Sequence, residues 1–193
     1  MTEIEIRKAL DRITSEELPF DDWETALRDQ SGRIEKIIGT KALSSPVGLE
    51  SEFQKNVNCH AYALGLWELE EFRALANTRQ GFLVKGSIIQ ELINATMIMP
   101  IEAPVENCLI LYLKGNSEIT HSGLLRENNE VESKWRNLPV FRHIIGHVPE
   151  SYGEENRYYM SKGAEEIHEF LLFSCRLYKY IVQTTPRAIE LAC

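Results

Sequence analysis

The chain predicts an α+β fold. Three observations carry that reading. Apolar residues recur at helical spacing at both ends of the sequence. The period changes to short apolar or alternating runs between residues 107 and 160. Asn128-Asn129 falls between two of those runs, where a hairpin must turn. The expected architecture is a small antiparallel sheet carrying one central helix, flanked by N-terminal helices and a C-terminal helix.

The elements follow in order. Thr2 and Glu5 have capping-box spacing, with Ile4, Ile6, Leu10 and Ile13 behind them. A second helix is predicted from near Asp21, with Glu24 three residues on, to Gly39. Residues 40–57 hold Ser44-Ser45-Pro46 and Gly48 and read as a loop. One helix is expected from Asn58 to about Asn77, its apolar side built from Ala61, Leu64, Trp67 and Leu75. Ala61, Ala63 and Gly65 would let it lie close to a strand. A shorter helix is predicted from Ser87, with Gln90 completing a capping box. Residues 107–115 read as a buried strand, 118–125 and 130–135 as alternating strands, and 156–160 as a last strand. Three or four antiparallel strands result. Ser161 to Thr184 reads as a long helix with Ile167, Phe170, Leu171, Leu177, Tyr178 and Ile181 on its apolar side, ended by Pro186. The expected division is a helical extension over 1–50, a core over 51–160, and a C-terminal helix over 161–193 packed on that core as one globular unit.

The 193 residues suffice for a core without disulfides or metals. A net charge of −8 opposes binding to nucleic acid, which needs clustered cations, and opposes docking on an anionic membrane. No apolar run is long enough to span a bilayer, and the first residues lack a signal-peptide core. A cytoplasmic location is expected, with leaderless export as an effector left open. The four cysteines are widely spaced, without a CxxC, and read as free thiols. No cofactor is expected. His143 and His147 have a zinc-like spacing, but Gly146 lies between them and the glutamate of HExxH is missing, so no metal is expected either. Glu16-Glu17, Glu70-Glu71 and Glu154-Glu155 read as solvated faces.

Asn58-Cys59 is the informative dipeptide. Asn58 is a good N-cap, which makes Cys59 the first helical residue. A sulfur there meets unpaired N–H groups and the positive end of the helix dipole, which favour thiolate and lower the thiol pKa. The same N–H groups can hold an oxyanion. The alternative is a small apolar residue that packs and does nothing else. His60 is adjacent but points about 100° away on a helix. His121, in a strand beside small Ser122 and Gly123, is the better base, or else a satisfied strand histidine. Glu132 and Ser133 are the candidates to orient it. They alternate across a strand, so only one can serve.

The order of helix cysteine, strand histidine and polar residue on the next strand resembles the papain-like superfamily, in particular compact NlpC/P60- and CHAP-type peptidases and amidases. Ser133 stands at the distance from His121 at which that superfamily places its third residue. A closer resemblance is to a little-characterised bacterial group with the pattern N-C-x-A-x-A-x-G, T-H, S-K, H and Y-G. Asn58, Cys59, Ala61, Ala63, Gly65, Thr120-His121, Gly123, Ser133-Lys134, His143 and Tyr152-Gly153 stand in that order here. Trp135-Arg136 departs from it, and so does the segment from Arg73 to Gly86. The resemblance implies a papain-like core and a thiol hydrolase, a peptidase or amidase, acting on a peptide or amide substrate. Cys59 would be the nucleophile, His121 the base, and Ser133 or Glu132 the orienting group. Asn58, Lys134 and His143 would line the oxyanion or substrate site. An acyltransferase or deamidase on the same site stays open. So does an inactive binding module that meets a protein partner, or itself, through terminal helices bearing Leu171, Phe173, Tyr178 and Tyr180.

Overall fold

A computed structural model of the chain describes residues 1–17, 22–40, 42–43, 57–76, 84–115 and 117–184, with backbone alone for Leu75 and residues 175–184. Asp21, Pro186, Cys193, most of the loop over 40–57, and the side chains of Leu75, Cys175, Leu177, Tyr178, Tyr180 and Ile181 lie outside the described residues.

Helices α1 (Glu3–Thr14) and α2 (Trp23–Ile38) open the chain. The capping box of α1 is present, with the Thr2 N–H donating to Glu5 Oε2 at 2.7 Å. Asp22 precedes α2 without a side-chain cap, and Gly39 closes that helix in the left-handed conformation. Strand β1 (Ala42–Leu43) follows. Helix α3 (Cys59–Ala63) is only one turn and a half long, and α4 (Glu70–Ala76) comes after a 3-10 turn over Leu66–Glu68. The single helix expected over 58–77 is therefore broken. The cause is Gly65, whose φ of 69° is left-handed and stops the helix. Its missing Cβ would stand 3.5 Å from Ala164, an ordinary contact, so the glycine serves the turn and not a close approach to a strand.

Helix α5 (Gly86–Asn94) starts one residue earlier than expected, and its N-cap Lys85 makes no side-chain cap; Gln90 bonds Asn94 instead. Strands β2 (Ile98–Pro100), β3 (Leu109–Lys114), β4 (Glu118–Leu125), β5 (Glu130–Lys134), β6 (Val140–Ile144) and β7 (Glu155–Ser161) lead to the terminal helix α6 (Ala164–Thr184). Ser161 ends β7 and does not begin the helix. The fold is α+β, with a seven-stranded antiparallel sheet in the order β1-β6-β5-β4-β3-β7-β2. The turn at Asn128-Asn129 is present, with both asparagines at φ 59°. His143 lies in β6, so His143 and His147 do not share a helix face. Among the described residues no group of three His, Cys, Asp or Glu side chains could hold a metal. No described helix is long and apolar enough to cross a membrane.

The pleat sorts the core into two faces. Leu109, Leu111 and Leu113 of β3 pack with α3, α4, α5 and α6. Ile110 and Tyr112 of the same strand pack with α1 and α2, beside Val131, Trp135 and Phe141. Helices therefore cover both faces. Most residues between them, on β4 and β5, are buried whichever way they point.

Candidate active site at an opening between two strands

Helix α3 begins at Cys59 because Asn58 caps it. Asn58 is extended, and its Oδ1 accepts from the Ala61 N–H at 3.0 Å. Its Nδ2 donates to the Val84 carbonyl at 2.6 Å, tying the helix start to the chain that enters α5. Both ends of the amide are engaged in building this corner.

The helix docks on Ser122 of β4. His60 Nδ1 and Ser122 Oγ are 2.8 Å apart, with both residues buried. The backbone of Ser122 is engaged as well. Leu125 donates its N–H to the Cys108 carbonyl at 2.9 Å, toward β3. In an antiparallel ladder the N–H groups alternate sides, so Gly123 and His121 also turn toward β3, and Leu124 and Ser122 toward β5. Pairing between β4 and β5 includes Leu124 with Glu132 but stops before Ser122 and Lys134. The Ser122 N–H freed there acts on the sulfur of Cys59 and, with the N–H groups of His60 and Cys59, favours its charged form. The thiol thus belongs to the point where the two strands part.

Burial decides the state of that thiol. It pushes the Cys59 pKa up to about 11, against the lowering effect of the three backbone N–H groups and of the Lys134 charge. The helix-start argument predicts the opposite direction. It fails because α3 has too few aligned peptides to outweigh desolvation of the sulfur. Cys59 as a residue keeps an intermediate exposure, so part of it faces solvent while the sulfur points inward. Lys134 shares this face of β5 and is 4% exposed. Its Nζ donates to the carbonyls of Arg136 at 2.7 Å and Leu138 at 2.6 Å. Burial lowers its pKa to about 8, and the Cys59 charge opposes that shift.

His121 reaches the other face. Its ring stacks on Tyr152 at 4.0 Å between centroids and tilts against Tyr112 at 5.6 Å. It is 1% exposed, and its Nε2 is buried without a hydrogen-bond partner. Burial holds its pKa well below the ordinary histidine value, helped by the charges of His60 and His143, so the imidazole is neutral.

Ser133 lies on the same face as His121, and Glu132 on the opposite one. The Ser133 hydroxyl is engaged elsewhere. Trp135 Nε1 donates to it at 2.8 Å, and it stands 2.8 Å from His143 Nε2. His143 Nδ1 lies 2.9 Å from the Ile144 carbonyl, so Nδ1 carries the proton and Nε2 accepts from Ser133. Burial lowers the His143 pKa to about 4. Glu132 accepts from Tyr62 at 2.6 Å, from Arg126 at 3.0 Å and from Arg142 at 3.1 Å. Burial opposes its ionisation, but these three donors outweigh it and hold the carboxyl below its usual range. The structure brings Cys59, Lys134 and Ser122 together on one face, and Ser133 and His143 on the other with His121. Neither Ser133 nor Glu132 holds Nε2 of His121.

Two residues at the site escape sequence reasoning. Ser122 was legible only as a small neighbour of His121. Tyr152 was legible only as part of the Tyr152-Gly153 pair. No protein-family model matches the chain, and neither the curated proteins nor the solved structures provide a match.

Proposed function

We propose that the chain is a thiol hydrolase with a papain-like core, acting on an amide-type bond through Cys59 and His121. The observation that carries this reading is the unpartnered Nε2 of His121, on the residue next to the serine whose N–H acts on the Cys59 sulfur. A buried nitrogen without a partner costs about 1–3 kcal/mol, and that cost is offset at a functional site when a reacting group completes it. The raised thiol and the neutral imidazole define the mechanism. No thiolate–imidazolium pair stands ready. His121, whose ring lies on the opposite face of β4, takes the proton through the opening where β4 and β5 part, as the sulfur attacks the carbonyl carbon. The C–S bond forms, the carbonyl π electrons move to oxygen, and backbone N–H groups at the start of α3 meet the oxyanion. The tetrahedral intermediate collapses, the leaving amine takes the proton from His121, and water hydrolyses the thioester. An amine in place of water would make the same site an acyltransferase, and a glutamine side chain as substrate would make it a deamidase.

Acylation by p-nitrophenyl acetate tests this. The expected result is release of p-nitrophenol with an acetyl group on Cys59 by mass spectrometry, none on a Cys59→Ala variant, and a rate about 100-fold or more lower in His121→Ala. Equal acylation in His121→Ala, or acetyl found on Cys108 alone, would sink it. A second reading, a non-catalytic binding module, is favoured by one observation, the burial that raises the Cys59 thiol to about 11. A folded wild-type protein that never acylates would establish it.

A further inference from the structure

Helix α3 has five residues, far fewer than the roughly 12–15 that an isolated helix needs to be stable in water. Its seat on the sheet must therefore come from side chains. Two of them are buried polar pins. His60 Nδ1 stands 2.8 Å from Ser122 Oγ on β4. The Tyr62 hydroxyl donates to Glu132 Oε1 on β5 at 2.6 Å. The Tyr62 ring is fixed as well, stacked on Trp67 at 5.7 Å between centroids with an interplanar angle of 10°. Its acceptor is not free to move. Arg126 and Arg142 hold the Glu132 carboxylate at 3.0 and 3.1 Å, and the residue is 7% exposed.

The two pins act in different directions. His60 stands about 100° from Cys59 on one side of the helix, and Tyr62 about 60° from it on the other. Cys59 lies in the arc between them. One pin reaches β4 and the other β5, whose pairing stops just beyond Leu124 and Glu132. A rotation of α3 in either sense strains one of them. The groups that act on the sulfur from the sheet, the Ser122 N–H and the Lys134 charge, belong to the same two strands. We propose that Tyr62 and Glu132 are positioning residues: their hydrogen bond, opposed by that of His60 and Ser122, fixes the rotation of α3 and so aims the Cys59 sulfur at the parting of β4 and β5. Glu132 then serves the nucleophile, through its helix, and not the base. The effect on a reaction rate rests on the thiol-hydrolase reading above, and the effect on the aim of the sulfur does not.

Tyr62→Phe tests this, because it keeps the stacked ring and removes only the hydroxyl. Iodoacetamide should alkylate Cys59 of the folded variant about 10-fold faster than in wild type, the change in open population that losing one hydrogen bond to a charged group brings. Cys108, 1% exposed, reports global opening and should react no faster. Acylation of Cys59 by p-nitrophenyl acetate should fall, by on the order of 100-fold for a displacement of about 1 Å. Arg142→Ala removes a partner from the same carboxylate but spares the Tyr62 bond. It should lower the melting temperature and leave both Cys59 rates at their wild-type values. If Cys59 alkylation in Tyr62→Phe is unchanged, or rises only together with that of Cys108, the contact is ordinary packing and the proposal is overturned. The same changes of rate in Arg142→Ala would assign them to the ion-pair network as a whole and overturn it too. If wild type acylates and Tyr62→Phe acylates equally, the bond does not aim the nucleophile, and the hydrolase reading stands without it. Faster alkylation of Cys59 alone, in a protein whose wild type never acylates, would sustain the positioning role and remove the hydrolase reading.

Discussion

Two buried histidines on one face of the sheet behave differently. His143 is satisfied at both nitrogens, in a relay from Trp135 through Ser133 to His143 and on to the Ile144 carbonyl. His121, on β4, has a nitrogen that nothing completes. Both are equally desolvated, so burial does not distinguish them. Hydrogen-bond satisfaction does. A closed network specifies and rigidifies a core, whereas an unpartnered group in the same core costs stability until something completes it. Ser133, expected to orient His121, serves His143 instead, and Glu132 serves Tyr62, Arg126 and Arg142. His121 is left unserved.

Acid should remove this contrast with the largest effect. Burial lowers the pKa of His60 and of His143 to about 4 each, from an unfolded value near 6.5. Between those values the unfolded chain binds more protons. Stability is therefore full above pH 6.5 and is lost as pH falls toward 4, by on the order of 3 kcal/mol per histidine, with His121 adding in the same direction. Since a domain has only about 5–15 kcal/mol in all, circular dichroism should show unfolding above pH 4. A chain still folded there would contradict neutral burial of the histidines.

Exchanging each ring for phenylalanine sharpens the comparison. The steric change is the same at both sites. His143→Phe leaves Ser133 without its acceptor, while His121→Phe removes an orphan. Urea denaturation should rank His143→Phe below His121→Phe by about 2–4 kcal/mol. Equal stabilities would show that the Ser133 relay contributes nothing.

A smaller effect is expected at Gly123. A Cβ there would stand 2.6 Å from Val131 Cγ1, 2.9 Å from Ser133 Cβ and 3.0 Å from the Glu132 carbonyl oxygen. Gly123→Ala must push β5 outward and should cost about 1–3 kcal/mol. An unchanged urea midpoint would mean that β5 yields freely, and that the position of Ser133 is not fixed by this contact.

How much of this was legible in the sequence depends on range. The Thr2/Glu5 cap, the Asn58 cap, strands β3, β4 and β5 and the Asn128-Asn129 turn all rest on residues within a few positions of one another, and all are present. Strand β1 has two residues and β2 three, too short to show a period, and β6 was hidden by the helix-like spacing of its histidine with His147. The break at Gly65 needed a backbone angle that composition does not reveal. At the site, the cap and the choice of cysteine were readable. The direction of the thiol's shift was not, because it is set by what covers the sulfur from β4 and β5. The partners of Ser133 and the unpartnered nitrogen of His121 likewise belong to the assembled sheet.

The Ser122 amide has a consequence of its own. It stands where β4 and β5 part, unpaired in the ladder and turned toward the thiol. An adduct on that sulfur would press on the join between two strands, and faster amide exchange at Ser122 would report it.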